Sequence, residues 1–428
     1  MNRIVLIGNG FDMAHGLKTS YADFIYWYWK KRARCMLKEE TNESKDVLCT
    51  LVHLKEDSWR LAYYYDSVLK MGEGKEVYQY LNSHPNTFRI IPSEFFDSIC
   101  HSIETKKWVD IENEYYELLK KYALKEKDET KVKELNEQLY FLQDNLVEYL
   151  SYVNQNDVKP IENIKNAIYR PFIPDDISIG GFYALQEHIE GGIALDDHGW
   201  RLKLEEYSYN NPAVYSAIQE FREVYQHNQD LINRCPRDLY EIIYPHLGFP
   251  RYLLPNEIML LNFNYTDTAE LYCSKDKDIF YINHIHGEVS RPESVIFGYG
   301  DEMDEKYEEL VKRNDNICLS NIKSIKYLES DNYRKVLSFI ESEPYQILIM
   351  GHSCGNSDRT LLNTLFEHRN CVSIKPYYYI NDEGKDNYID IVQNISRNFN
   401  DMKLMRDRVV NKLYCEPLTK KDSQESDQ

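Results

Sequence analysis

The stretch MNRIVLIGNGFD, residues 1–12, decides how the rest of the chain is read. Residues 4–7 are a continuous apolar run that stops at a glycine. Such a run reads as a parallel-sheet strand buried on both faces, because a half-exposed strand would alternate. Gly8 and Gly10 permit a tight turn and a close backbone approach. The N–H groups of that turn and of the following helix could then cradle a diphosphate. A dinucleotide fingerprint has a third glycine where this chain has Met13. A purely structural turn would look the same, but the motif opens the first strand-turn-helix unit of the chain.

Similar apolar runs ending in Gly, Asn or His lie at residues 258–263, 279–285, 295–299 and 345–350. All are expected to be buried parallel strands. Residues 371–380 contain Pro376, which lacks a ladder donor and belongs at a sheet edge or bulge. Between about residues 21 and 255 the pattern turns helical, as at 108–126 and 132–153, with a Gly-, Pro- and Asp-rich middle at 171–199 that reads as loops. The expected fold class is α/β: a doubly wound, mostly parallel Rossmann-like sheet with a large α-helical insertion. Residues 1–20 and 251–415 form the Rossmann-like part, 21–250 the helical insertion or cap, and 416–428 a disordered tail.

Bulk properties narrow the function. The 428 residues are 43% hydrophobic and 13% aromatic, with 36 tyrosines, which fits a globular chain with a sizeable core. A net charge of −19 repels a phosphate backbone, so long nucleic acid is an unexpected partner. The basic cluster at residues 30–34 follows the aromatic run 24–29 and reads as the solvated cationic end of a helix with a buried aromatic face. Nine cysteines without a C-x-x-C indicate neither a zinc ribbon nor a disulfide framework, and a reducing cytoplasm is expected. The N-terminal apolar run is too short for a signal peptide or membrane span, so no membrane partner is expected.

Four further motifs fall at strand ends, where open α/β sheets bind ligands. In LNFNYTD (261–267), Asn264 can bond a ribose hydroxyl or a water, while Asp267 can cap a helix from Thr268. In NHIHG (283–287) the two histidines are not read as ligands of one metal. His286 is the candidate proton acceptor, with an unperturbed pKa near ~6.5, and His284 is assigned to packing or hydrogen bonding. In IMGHSCGNSD (349–358), Gly351, Ser353, Asn356 and Asp358 can serve phosphate or ribose, and Ser357 or Asp358 is expected to cap the helix over 360–367. Cys354 has no base partner in sequence and is not read as a nucleophile. In IFGYGD (296–301), Tyr299 can stack or bond near the pocket, or the segment is a simple turn. No metal-ligand spacing is evident, which argues against a nuclease.

Taken in order, GNGFDMAHGLKTSY, LNFNYTD, HIHG, FGYGDE and GHSCGNSD resemble the bacterial abortive-infection AbiH family. That family is in turn similar to the sirtuin fold: Gly8-Asn9-Gly10-Phe11-Asp12 and Gly16-Leu17 resemble its opening glycine loop. Asn264, His286 and Gly351 with Ser353 match its later motifs. Lys18 and Tyr21 depart from that loop, Asp267 falls one residue late behind Thr266, and the zinc cysteines are missing, which argues against protein deacetylation. The resemblance implies an anti-phage effector that hydrolyses NAD as substrate, without a prosthetic group. Gly8, Asn9, Gly10, Phe11, Gly351, Ser353, Asn356, Asp358 and Tyr299 would bind NAD or a related dinucleotide, and His286, Asn264, Asp12 and Asp267 would act on it. The alternative is a non-catalytic module that senses a nucleotide such as ADP-ribose. Expected partners are a phage-derived trigger, another defence protein or a second copy of the chain.

Overall fold

The computed structural model describes residues 1–39, 43–54, 74–106, 110–154, 158–185, 187–188, 253–273 and 280–419. Among them the strands are β1 (Asn2–Ile7), β2 (Glu43–Lys45), β3 (Cys49–His53), β4 (Phe88–Pro92), β5 (Ile258–Asn262), β6 (Phe280–His284), β7 (Tyr345–Met350) and β8 (Cys371–Tyr377). Five form an all-parallel sheet in the order β6-β5-β1-β7-β8. This is the doubly wound Rossmann-like arrangement, in which β1 is flanked by the second and fourth strands of the sheet. The order reverses beside β1, so the crevice for a ligand opens beyond the carboxyl ends of β1 and β7.

Period-two alternation explains why β1 is buried throughout. Ile4 and Leu6 pack with Leu361, Leu365, Phe366 and Ile395 on one face. Val5 and Ile7 pack with Ile164, Ile168 and Tyr272 on the other. The strand β7 is equally buried. By contrast β6 lies at the edge, where Tyr281 is exposed and Ile282 and His284 are half-buried. The expectation of a strand buried on both faces fails there for that reason. At the opposite edge, β8 carries Pro376 opposite Ile349, as its missing N–H requires. Its outer side is covered: Ser178 N–H donates to Val372 O and Val410 N–H to Ile374 O, both at 2.9 Å.

Residues 295–299 are not a sheet strand. Val295, Phe297 and Tyr299 join the core of the helical region while Ile296 joins the sheet core, so the alternating side chains wedge a loop between two cores. Only a single bridge, Tyr299 to Ile322, gives it strand character.

Helices Tyr21–Glu39, Ile111–Lys120 and Glu129–Val153 carry the expected helical pattern. Phe24, Tyr28 and Trp29 form a buried aromatic face with Phe96. Two features were not legible in sequence. The strands β2-β3-β4 make an antiparallel sheet inside this stretch, and Arg32, expected in solvent, is buried on Asp46 at 3.1 Å. A buried guanidinium needs such a carboxylate, and only the fold brings one there. The expected tail also starts later: Leu418 N–H donates to Tyr378 O at 2.9 Å. The remainder, 420–428, lies outside the described residues, as do Cys235 and the glycines at 191–192. The eight described cysteines are free thiols. No described helix is long and apolar enough to cross a membrane.

Candidate functional site

At the crevice the turns after β1 and β7 lock together. Gly10 N–H donates to Gly351 O at 2.9 Å, Gly8 N–H to Met350 O at 3.3 Å, and Phe11 N–H to Gly8 O at 2.8 Å. A β-carbon at Gly8 would sit 2.5 Å from the His352 Cα, and one at Gly351 would sit 2.0 Å from the Phe11 nitrogen. These glycines therefore let two backbones touch, and the N–H groups of Gly8, Gly10 and Phe11 are already occupied. The diphosphate cradle expected from the opening motif is in this respect a chain-to-chain contact.

Beside the locked turns lies a cavity of about 470 Å³. It is lined by Gly8, Asn9, Gly10, Asp12, Asn264, His286, Gly351, Ser353 and Asp358 from the expected set. Phe11, Asp267, Asn356 and Tyr299 are not part of the lining. Phe11 packs against Tyr272 and His15 in the sheet core. Tyr299 stacks on Tyr116, with ring centroids 3.8 Å apart. Asp267 and Asn356 are exposed, and Asp267 makes no side-chain cap. Asp358 does not cap its helix either. Its carboxylate turns inward.

Asn264 is fixed by its own turn: its N–H donates to Asn262 Oδ1 and its Nδ2 to Gly8 O, each at 3.0 Å. Asp12 accepts from the Thr266 hydroxyl at 2.6 Å through Oδ2, while its buried Oδ1 has no partner. Burial pushes Asp12 up to about 6, against the opposing help of Thr266, Thr268 and Asn264. Its folded value lies above its ordinary one near 3.8. Stability from this group is therefore full below that ordinary value and lost as pH rises through about 6, an effect of about 3 kcal/mol. Asp12→Asn, which keeps an acceptor for Thr266, should raise the urea midpoint at pH 8 by the equivalent of about 1–3 kcal/mol and give a smaller gain at pH 5. Equal gains at both pH values would show that Asp12 is not a strained buried acid.

Five residues not named by sequence complete the cavity or its wall. Lys323 Nζ lies 2.9 Å from Glu112 Oε2 and 2.8 Å from Asp358 Oδ1. His286 Nε2 lies 3.2 Å from Asp358 Oδ1 and 3.1 Å from the Tyr327 hydroxyl. His352 Nε2 faces Asp358 Oδ2 at 3.6 Å. Asp110 joins the lining from the cap of helix Ile111–Lys120, where its Oδ1 accepts from Asn113 N–H. Burial works against charge on Lys323, yet Asp358 and Glu112 hold its pKa up. Burial likewise opposes ionised Asp358, and Lys323 with His286 outweighs it, keeping the carboxylate well below its usual range. Glu112 is pushed up to about 8 by burial, in spite of Lys323, with Asp358 adding to the rise. Burial and then Lys323 lower His286, so the imidazole is neutral at pH 7. In sequence Asp110 and Glu112 look like an ordinary acidic helix start, and no pattern marks Lys323.

On the far side of β6, His284 approaches the carboxylates of Glu270 and Glu288. Asn262 has its oxygen on Asn264 N–H, so its Nδ2 donates to Thr266 O and to His284 Nδ1 at 3.3 Å. The His284 proton is thereby placed on Nε2, the atom facing Glu270 at 3.9 Å. A protonated nitrogen offers no lone pair to a metal. His284 thus serves hydrogen bonding and, unlike His286, is not part of the cavity lining.

A doubly wound parallel sheet with a cavity at its switch point defines a Rossmann-like α/β protein with a ligand-sized crevice. The family model described as Bacteriophage abortive infection AbiH matches residues 4–175 and 187–379, and the chain belongs to that family. The family indicates a role in abortive infection by phage. No curated protein and no solved structure matches the chain.

Proposed function

We propose that the protein acts in abortive infection by hydrolysing the N-glycosidic bond of NAD or a related dinucleotide in this cavity. The observation that carries the reading is the convergence of Asp12, Asn264 and His286, from three distant segments, on one cavity whose polar groups sit among apolar walls such as Leu146, Leu150 and Phe263. Its described lining holds four carboxyl groups, and Lys323 is engaged with two of them. Such a lining suits a cationic nicotinamide-ribose end and a positive charge developing at the sugar carbon, and it repels phosphate. The diphosphate would then lie at the rim, near the exposed Asn9 and Ser353.

In this reading the bond from C1′ to the pyridinium nitrogen breaks, and nicotinamide leaves neutral with the electron pair. The Asp12 carboxylate stabilises the ribosyl cation while water adds to C1′ and gives its proton to His286. The products are nicotinamide, ADP-ribose and one proton. Asn264 holds the turn of Gly8 in place and offers its carbonyl oxygen to the ribose or water.

The test is to measure intracellular NAD after phage challenge, and NAD cleavage by the purified protein, alongside His286→Ala and Asn264→Ala. Parent NAD should fall. His286→Ala should lower turnover by ~10²- to 10⁴-fold. Turnover should also decline below about pH 6 as Asp12 takes up its proton. Undiminished NAD with the parent, or equal cleavage by His286→Ala, would overturn the proposal. In a second reading a nucleotide is sensed in the same cavity without chemistry, because binding sites and catalytic sites share strand ends. Binding without cleavage, even with infected-cell extract, would decide for it. In the same reading the protein answers to a phage-derived trigger, another defence protein or a second copy of the chain.

A further inference from the structure

The buried polar groups behind the cavity form a chain: Glu112, Lys323, Asp358, His286, Tyr327. Each neighbour is within 3.2 Å of the next, and all five side chains are buried. Burying an ion pair in this way carries a desolvation cost, and packed apolar groups would often be at least as stable. A positional task for the charges is therefore the question to ask.

The hydrogen bonds answer it atom by atom. An ionised carboxylate offers only lone pairs, so Asp358 Oδ1, which accepts from Lys323 and lies 3.2 Å from His286 Nε2, favours a proton on that nitrogen. The His286 proton then sits on Nε2. Its lone pair is left on Nδ1, the nitrogen that neither Asp358 nor Tyr327 engages. The Tyr327 ring lies nearly parallel to the imidazole, at 8° and 6.1 Å, and its hydroxyl meets the same Nε2. His352 is held in the matching state: its Nδ1 accepts the Cys354 N–H at 3.0 Å, so its proton is on the Nε2 that faces Asp358 Oδ2. Lys323, Asp358, His352 and Tyr327 are thus the titratable groups that face His286, with the Tyr265 ring 6.3 Å away. Glu112 anchors the far end, accepting from both Lys323 and the Gly298 N–H.

We propose that Lys323 and Asp358 are positioning residues that hold His286 as its Nε2–H tautomer and leave Nδ1 as the proton-accepting atom of the cavity. This rests on the hydrolase reading only for its purpose. The tautomer itself can be observed without any turnover. A serine-protease-like logic applies, in which a buried carboxylate sets the ring that does the proton transfer.

The experiment is long-range proton–nitrogen NMR of the histidine rings in the full-length ¹⁵N-labelled protein at pH 7, with His286→Gln assigning the His286 signals. The expected result is a neutral His286 ring with Nε2 protonated and Nδ1 unprotonated. In Asp358→Asn the amide can donate to Nε2, and the ring should shift toward the Nδ1–H form. Tyr327→Phe, which keeps the carboxylate, should leave the parent tautomer in place. An Nδ1–H ring in the parent, or an unchanged tautomer in Asp358→Asn, would overturn the proposal. The parent spectrum alone decides if Asp358→Asn does not fold. If NAD is cleaved, Asp358→Asn should also lower turnover by up to ~10⁴-fold with little change in KM. A confirmed tautomer with no NAD cleavage would sink the hydrolase reading and leave this one standing.

Discussion

Lys323→Met is expected to lower folding stability by about 3–5 kcal/mol, measured as a shift of the urea midpoint at pH 8. The lysine side chain is 1% exposed and touches Glu112 and Asp358, which are themselves buried. Methionine nearly matches its volume, so a cavity is not the source of the loss. The loss comes from two carboxyl groups left in a low-dielectric interior without their cation. Both would then have folded-state pKa values above their unfolded ones, so the variant takes up protons on folding. Its stability should accordingly improve as pH falls from 8 toward 6, with the parent changing less. The double variant Lys323→Met with Asp358→Asn, which removes one stranded charge, should recover part of the loss. A Lys323→Met protein as stable as the parent at pH 8 would show that the buried network contributes nothing to the fold.

Gly351→Ala should be comparably damaging, at about 2–5 kcal/mol, for a backbone reason. Gly351 has φ of +75°, and an added β-carbon would meet the Phe11 nitrogen at 2.0 Å and the Gly10 carbonyl carbon at 2.5 Å. The left-handed conformation alone costs an L-residue about 1–2 kcal/mol. Forcing apart two buried turns adds about 1–3 kcal/mol or more. Gly384 supplies the control: φ is +79°, but a β-carbon there meets nothing within 4 Å. Gly384→Ala should show the conformational cost alone, so equal losses in the two variants would refute a packed-turn role for Gly351. Because the same contact holds the cavity rim, any folded Gly351→Ala protein should also lose ligand binding.

Much of the sheet was legible because parallel strands buried on both faces leave continuous apolar runs, as at β1, β5 and β7. The same rule misread residues 295–299, whose alternating side chains divide between two cores. It also missed that β6 is an edge. Helices Tyr21–Glu39 and Glu129–Val153 were visible from their repeat, whereas β2 has three residues and β3 and β4 are buried on one face only, so none leaves a continuous apolar run. Of the site, Asp12, Asn264, His286, Ser353 and Asp358 were reachable because each follows a strand that ends at the crevice. Phe11, Tyr299, Asn356 and Asp267 satisfied the same rule and lie elsewhere. Proximity to a strand end places a residue near the crevice but does not say where its side chain turns.

Strand identity, the parallel α/β class and the family follow from the local order of residues along the chain, since hydrophobic period and turn chemistry are short-range properties. The tertiary structure alone decided that Gly8 and Gly351 exist for each other, that Asp358 turns inward rather than capping its helix, and that Lys323 and Glu112 stand behind His286. Each depends on contacts between residues tens to hundreds of positions apart. A buried charge is defined by the partner it meets, and no local pattern encodes that partner.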